Sequence, residues 1–149
     1  MSNWKMSFGG GLVVYCGGPI ELVERDTAMD WRDDAAEYGR MPKNNLYMVN
    51  PFREGGESPH RGKKNSRLIE RRDLFLADKS DVLLINLNNW DDGKGTLIEL
   101  GWFDVWRKPV FAWAGEAALA RLHPMVDDIV AYWNPDLHTV IDQIAEFTP

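Results

Sequence analysis

The stretch Asp81-Val-Leu-Leu-Ile-Asn86 constrains this chain more than any other. Its apolar residues are continuous, where a strand with one wet face would alternate, so it reads as a strand buried on both sides, as in a parallel sheet. Leu12-Val-Val-Tyr-Cys16, bounded by glycines, Leu46-Tyr-Met-Val-Asn50, stopped by Pro51, and Val110-Phe-Ala-Trp113 read as further short strands, with a weaker one near Asp128–Tyr132. Between them the spacing of apolar residues predicts helices: from a cap at Asp26 or Thr27 to about Gly39, with Met29, Trp31 and Ala36 inward; from about Ser66 to Asp78; from Thr96 to about Trp106; a short one around Glu116–Leu122; and a last one near Pro135–Phe147. Residues 52–65 carry Gly55, Gly56, Pro59 and Gly62 and read as a long irregular loop, of a kind that is usually functional. Strands alternating with helices give an α/β class: a flavodoxin-like, roughly five-stranded parallel sheet with helices on both faces.

Length and composition narrow the class. The 149 residues form a single domain, 1–149, with 44% apolar and 27% charged residues. No apolar run is long enough for a membrane span, and the N-terminal apolar stretch reads as the first strand rather than a leader. The one cysteine, Cys16, has no internal partner, and the histidines His60, His123 and His138 have neither zinc nor triad spacing; a cytoplasmic protein without metal is expected. The net charge of −6 speaks against a nucleic-acid polymer as partner. It is uneven, however: Arg53, Arg61, Lys63, Lys64, Arg67, Arg71 and Arg72 face only Glu54, Glu57 and Glu70, which is either a solvated helix and loop or a phosphate-facing segment.

In a parallel sheet the residues after each strand converge on one cleft. Here these are Tyr15-Cys-Gly-Gly18-Pro19-Ile20, Asn50-Pro-Phe-Arg53, and Asn86 through Gly95-Thr96, followed by Glu99. The glycine turns fit neither a dinucleotide fingerprint nor a Walker loop. Asp73, Asp91, Asp92 and Glu99 form an acidic set, and paired carboxylates can act as nucleophile and acid–base group at an acetal carbon. Each also has a plainer role. Thr96-Leu-Ile-Glu99 is a capping box, Asp91-Asp92-Gly93 a turn, and Asp73 a solvated residue or a partner of Arg71 or Arg72. Tyr15 and Cys16 fit a core strand; Trp102, Trp106 and Trp113 read as packing or subunit contact, and Trp31 and Trp90 as packing or base-stacking residues.

The ordered blocks Tyr15-Cys-Gly-Gly-Pro-Ile20, Ala28-Met-Asp-Trp-Arg32, Asn50-Pro-Phe-Arg53, Glu70-Arg-Arg-Asp73, Ser80 to Asn86, Gly95-Thr-Leu-Ile-Glu-Leu-Gly101 and Lys108-Pro-Val110 together resemble the nucleoside 2-deoxyribosyltransferases over residues 12–113. The resemblance implies exchange of the base on a 2′-deoxyribonucleoside through a covalent deoxyribosyl-enzyme, with no cofactor and no metal. It implies Glu99 as nucleophile, Tyr15 as the hydroxyl that orients it, Asp73 beside the sugar, and Asp92, with Asp91 as understudy, as proton donor to the leaving base. Asp92 stands one residue further from Glu99 than in some relatives. Gly18, Pro19, Ile20, Asn50, Asn86 and Gly95 are the expected substrate contacts. The expected partners are a small nucleoside or nucleotide, a free nucleobase and further copies of the chain, with helix 96–106 as contact surface; no membrane or nucleic acid is expected. Hydrolysis of nucleosides or their 5′-monophosphates by an N-glycosidase, and a non-catalytic nucleotide-binding module, are the alternatives.

Overall fold

The computed structural model describes residues 11–19, 25–51, 62–92 and 94–147. Five parallel strands, β1 (Val13–Gly17), β2 (Tyr47–Val49), β3 (Val82–Asn86), β4 (Val110–Trp113) and β5 (Tyr132–Asn134), form one sheet in the order β2-β1-β3-β4-β5. The helices are α1 (Arg25–Gly39), α2 (Gly62–Asp78), α3 (Lys94–Val105), the short α4 (Glu116–Leu119) and α5 (Pro124–Asp127), and α6 (Leu137–Glu146). After β1 the chain moves to β2 on one side, and β3 returns to the other. The strand order therefore reverses between β1 and β3, and in a sheet of this order the ligand crevice lies at their carboxyl ends.

Side-chain alternation along the strands divides the core in two. Val14 and Cys16 of β1, with Val82 and Leu84 of β3, face Trp31, Ala35 and Ala36 of α1 and Val140, Ile141 and Ile144 of α6. Val13 and Tyr15, with Leu83 and Ile85, face Ala77 of α2 and Leu100 and Phe103 of α3. Both faces of β3 are thus covered, which is why its sequence is continuously apolar. Register fixes the floor of the crevice: Gly17 of β1 lies opposite Ile85 of β3, so Gly18 and Asn86 follow side by side.

Several boundaries differ from the sequence reading, each for a local reason. Helix α1 starts at Arg25, so Asp26 and Thr27 lie inside it. Helix α2 begins at Gly62 rather than Ser66, taking in the end of the expected loop. The fifth strand lies at Tyr132–Asn134 rather than Asp128–Tyr132, because Pro124 opens α5 and Asp128–Val130 close its turn. There His123 caps the helix, its Nδ1 accepting from the Met125 N–H at 3.2 Å. Helix α3 starts at Lys94, which removes Thr96 from the cap position: its side chain is buried (1% exposed), and its hydroxyl has no partner among the described residues. No helix among the described residues is long and apolar enough to cross a membrane.

Candidate active site

Strand alternation and the α3 crossover together place the site. Tyr15 points to the α3 side of the sheet, two residues before β1 ends, and Glu99 lies one helical turn along α3 from Thr96, on the side facing β1. The Tyr15 hydroxyl and the backbone N–H of Gly18 both donate to the Glu99 carboxylate. Close approach is possible because β1 ends in glycine. A Cβ on Gly17 would lie 3.1 Å from Glu99 Oε2 and 3.1 Å from Leu83 Cδ1. Gly18 has φ +155°, a conformation other residues rarely adopt, and a Cβ there would lie 3.1 Å from Asn86 Cβ and 3.3 Å from Trp31 Cζ2.

Glu99 therefore turns inward to β1 rather than back to its own helix start, and the capping-box reading of Thr96 and Glu99 does not hold. Burial pushes the Glu99 carboxyl up to about 8, against the opposing influence of the Arg32 guanidinium and the Tyr15 hydrogen bond. Burial likewise raises the Tyr15 phenol well above its ordinary value, with the Glu99 and Asp73 carboxylates adding to the rise, so Tyr15 stays a neutral donor. Asp73, on α2, couples electrostatically to both. Its Oδ1 accepts from Arg72 Nη2 at 2.8 Å and Nε at 3.2 Å, while the same Nη2 donates to the Pro51 carbonyl at 2.9 Å. Burial still raises the Asp73 carboxyl above the ordinary range, this pair and Arg32 only partly offsetting it.

The remaining expected residues divide. Gly18, Pro19, Asn50 and Asn86 are buried at the carboxyl ends of β1, β2 and β3. The Asn86 Oδ1 accepts from both the backbone and side-chain nitrogens of Asn88 at 3.0 Å, and Asn88 Oδ1 accepts from the Gly115 N–H at 2.9 Å, tying the β3 and β4 loops together. Gly95 is exposed in the first turn of α3, with open space where a Cβ would stand. Asp91 sits out on the surface, paired with Arg121 at 3.1 Å. Asp92 ends the 3-10 turn Trp90–Asp92, and its side chain lies outside the described residues, as do Ile20, Arg53, His60 and Arg61 and the side chains of Lys63 and Lys64.

Of the tryptophans, Trp31 packs on Trp113 (centroids 5.7 Å apart) and Trp90 packs against the core; the indole N–H of each, Trp31 and Trp90, is buried without a partner among the described residues. Trp102 and Trp106 pack on the core beside Phe103. Cys16 is buried on the other face, where burial pushes its thiol up to about 12, so it is no nucleophile. The residue that sequence reasoning missed is Arg32. Its neighbours at helical spacing, Trp31, Ala35 and Ala36, form the inner stripe of α1, and a charge in an apolar stripe needs a partner. That pattern was visible in the sequence.

The family model described as "Nucleoside 2-deoxyribosyltransferase" matches residues 14–134. The chain belongs to that family. The match runs beyond the blocks at 12–113, through β5, and the family acts on small nucleosides and nucleobases. Among curated protein sequences none matches. Among solved structures, the chain is similar to a 2-deoxyribosyltransferase from Bacillus psychrosaccharolyticus, with a TM-score of 0.68 and 20% identity over 87% of this chain and 90% of that one. It is also similar to a conserved protein from Enterococcus faecalis (TM-score 0.67, 13% identity, 91% and 98% covered) and to a CMP N-glycosidase from Clostridium botulinum (0.60, 11%, 91% and 99%). At these identities the likeness establishes the fold: the flavodoxin-like parallel sheet with helices on both faces. Among the described residues no cluster of three or more histidine, cysteine or carboxylate side chains could hold a metal.

Proposed function

We propose that this protein transfers 2-deoxyribose from one nucleobase to another through a covalent deoxyribosyl–Glu99 intermediate. The observation that carries the reading is the Glu99 carboxylate held by the Tyr15 hydroxyl and the Gly18 N–H at the β1–β3 crevice, where a sheet of this order takes its ligand. Ionised Glu99 attacks C1′ of the nucleoside as the C1′–N bond breaks, and the departing base takes a proton from Asp92. A second base then attacks C1′ from the face the first one left, frees Glu99 and returns its proton to Asp92, so configuration is retained after two inversions. Tyr15 aims the carboxylate, and the negative field of Glu99 and Asp73 stabilises the oxocarbenium-like charge on the sugar. The ion pair with Arg72 fixes the Asp73 carboxyl in place.

Water in place of the second base turns the same steps into hydrolysis. The fold shared with a CMP N-glycosidase makes 5′-monophosphates substrates to include. The test is chromatography of 2′-deoxynucleosides and their 5′-monophosphates incubated with the protein, with and without a second base. A new nucleoside only when the second base is present is the expected result. Free base released equally without it would replace transfer by hydrolysis, and a bound but unchanged ligand would replace both by a binding module.

The chain also associates with itself in this reading. With Trp102 and Trp106 packed on the core, α3 still leaves Leu97, Ile98 and Val105 exposed, and adjacent α2 leaves Leu68 and Phe75. Exposed apolar side chains gathered on two neighbouring helices suit a subunit contact.

A further inference from the structure

Arg32 and Glu99 come from opposite sides of the sheet. Helix α1 covers the Cys16 face and α3 the Tyr15 face, and the two side chains couple electrostatically around the end of β1. Arg32 is wholly buried (0% exposed). Its Nε donates to the Cys16 carbonyl at 3.3 Å and its Nη2 to the Gly18 carbonyl at 3.0 Å, and its guanidinium lies 4.7 Å from the Trp31 ring centroid. Gly18 is thus gripped from both sides, its carbonyl by Arg32 and its N–H by Glu99. A backbone at φ +155° is one that needs holding.

We infer that Arg32 is a positioning residue for the reaction at Glu99: it clamps the Cys16–Gly18 backbone so that the Gly18 N–H faces the carboxylate, and its fixed charge favours the ionised form that attacks the sugar. This deepens the reading of Glu99 as nucleophile and rests on it. A purely structural residue at this place needs no charge, and a buried guanidinium carries a desolvation cost that its two carbonyls and the Trp31 ring offset in part and a neighbouring carboxylate offsets further. Among the described residues, the groups facing Glu99 are Tyr15 from β1, a neutral donor; Asp73 from α2, a like charge tied to Arg72; and Arg32 from α1. Arg32 is the cation among them. Planar geometry matters as much as charge: two guanidinium nitrogens reach two carbonyls, which a lysine ammonium on a flexible stem cannot reproduce.

The test compares Arg32→Lys and Arg32→Met with the wild-type protein by two readouts. One is the pH profile of kcat/KM, whose acid limb reports ionisation of the nucleophile. The other is the ¹³C titration of the Glu99 carboxyl, which needs no turnover. Arg32→Met is expected to move both the acid limb and the titration upward by about one pH unit or more. Arg32→Lys is expected to leave the titration near its wild-type position but to lower kcat by about 10–100-fold through the loosened turn. An unmoved Glu99 titration in Arg32→Met overturns the electrostatic role, and full kcat in Arg32→Lys overturns the clamp. Should Arg32→Met not fold, Arg32→Lys decides alone: wild-type kcat would overturn the inference. A wild-type protein without transfer or hydrolysis would refute the reaction, while the carboxyl titration would still measure the coupling of Arg32 to Glu99.

Discussion

Replacing Glu99 by glutamine should cost the protein its chemistry and make its fold more stable in alkali. The folded protein holds the Glu99 proton up to about 8, whereas the unfolded chain releases it near 4.5. Between those values the folded state binds more protons, so wild-type stability falls as pH rises through this window and levels off above it. The gap corresponds to about 5 kcal/mol as an upper bound at 1.36 kcal/mol per pH unit. Glutamine carries no charge to desolvate, but it offers one carbonyl where the carboxylate receives both Tyr15 and Gly18, and one mismatched donor costs about 1–3 kcal/mol. The net is a variant at most about 2–4 kcal/mol more stable than wild type at pH 9 and no more stable, or less, at pH 5. Urea denaturation across this range reads the difference directly. A capping residue would behave otherwise, losing about 1 kcal/mol at every pH and no activity. Parallel stability curves for the two proteins, or turnover surviving in Glu99→Gln, would refute the reasoning.

Other expectations follow from the same geometry. The acid limb of wild-type kcat/KM should lie near 8, activity rising as Glu99 ionises, and Tyr15→Phe should move that limb upward and lower kcat while changing stability by only about 1 kcal/mol; a limb near 4.5 would contradict the burial of Glu99. Gly17→Ala puts a methyl group against Glu99 Oε2 and Leu83 Cδ1, so it should cost about 1–3 kcal/mol by thermal melting and most of the turnover; a fully active variant would show that Glu99 sits elsewhere. Native Cys16 should resist thiol reagents at pH 8 and react only on unfolding, as absorbance with a disulfide dye would show. Light scattering should give a particle heavier than one chain, and Val105→Glu with Leu68→Glu should shift it toward the monomer; a wild-type monomer would refute the apolar-face contact.

Much of this was legible in the sequence, because burial on two faces leaves a plain mark. The continuous run at Val82–Ile85 places the central strand, and strand alternation with helix then brings the carboxyl ends of β1 and β3 together. What misled was local chemistry with two uses. Thr96 and Glu99 have capping-box spacing, but a box requires the helix to start at Thr96, and the start at Lys94 frees Glu99 to face β1. Asp128-Ile-Val130 has strand-like residues but lies in the turn after α5, which Pro124 and His123 announce. Arg32 stands as a lone charge in the apolar stripe of α1, which marks it as needing a partner without naming one. Its partners lie on β1 and α3, distant in the chain, and only the topology brings them together.

The central claim, that Glu99 carries the sugar, is tested most directly by the mass of the protein itself. Wild-type protein mixed with a substrate found by the chromatographic survey, quenched rapidly and digested, should carry one added deoxyribosyl group on the peptide holding Glu99. That adduct should vanish when a second base is added and never form in Glu99→Gln. An adduct on any other residue, or base exchange by the Glu99→Gln protein, would contradict the account.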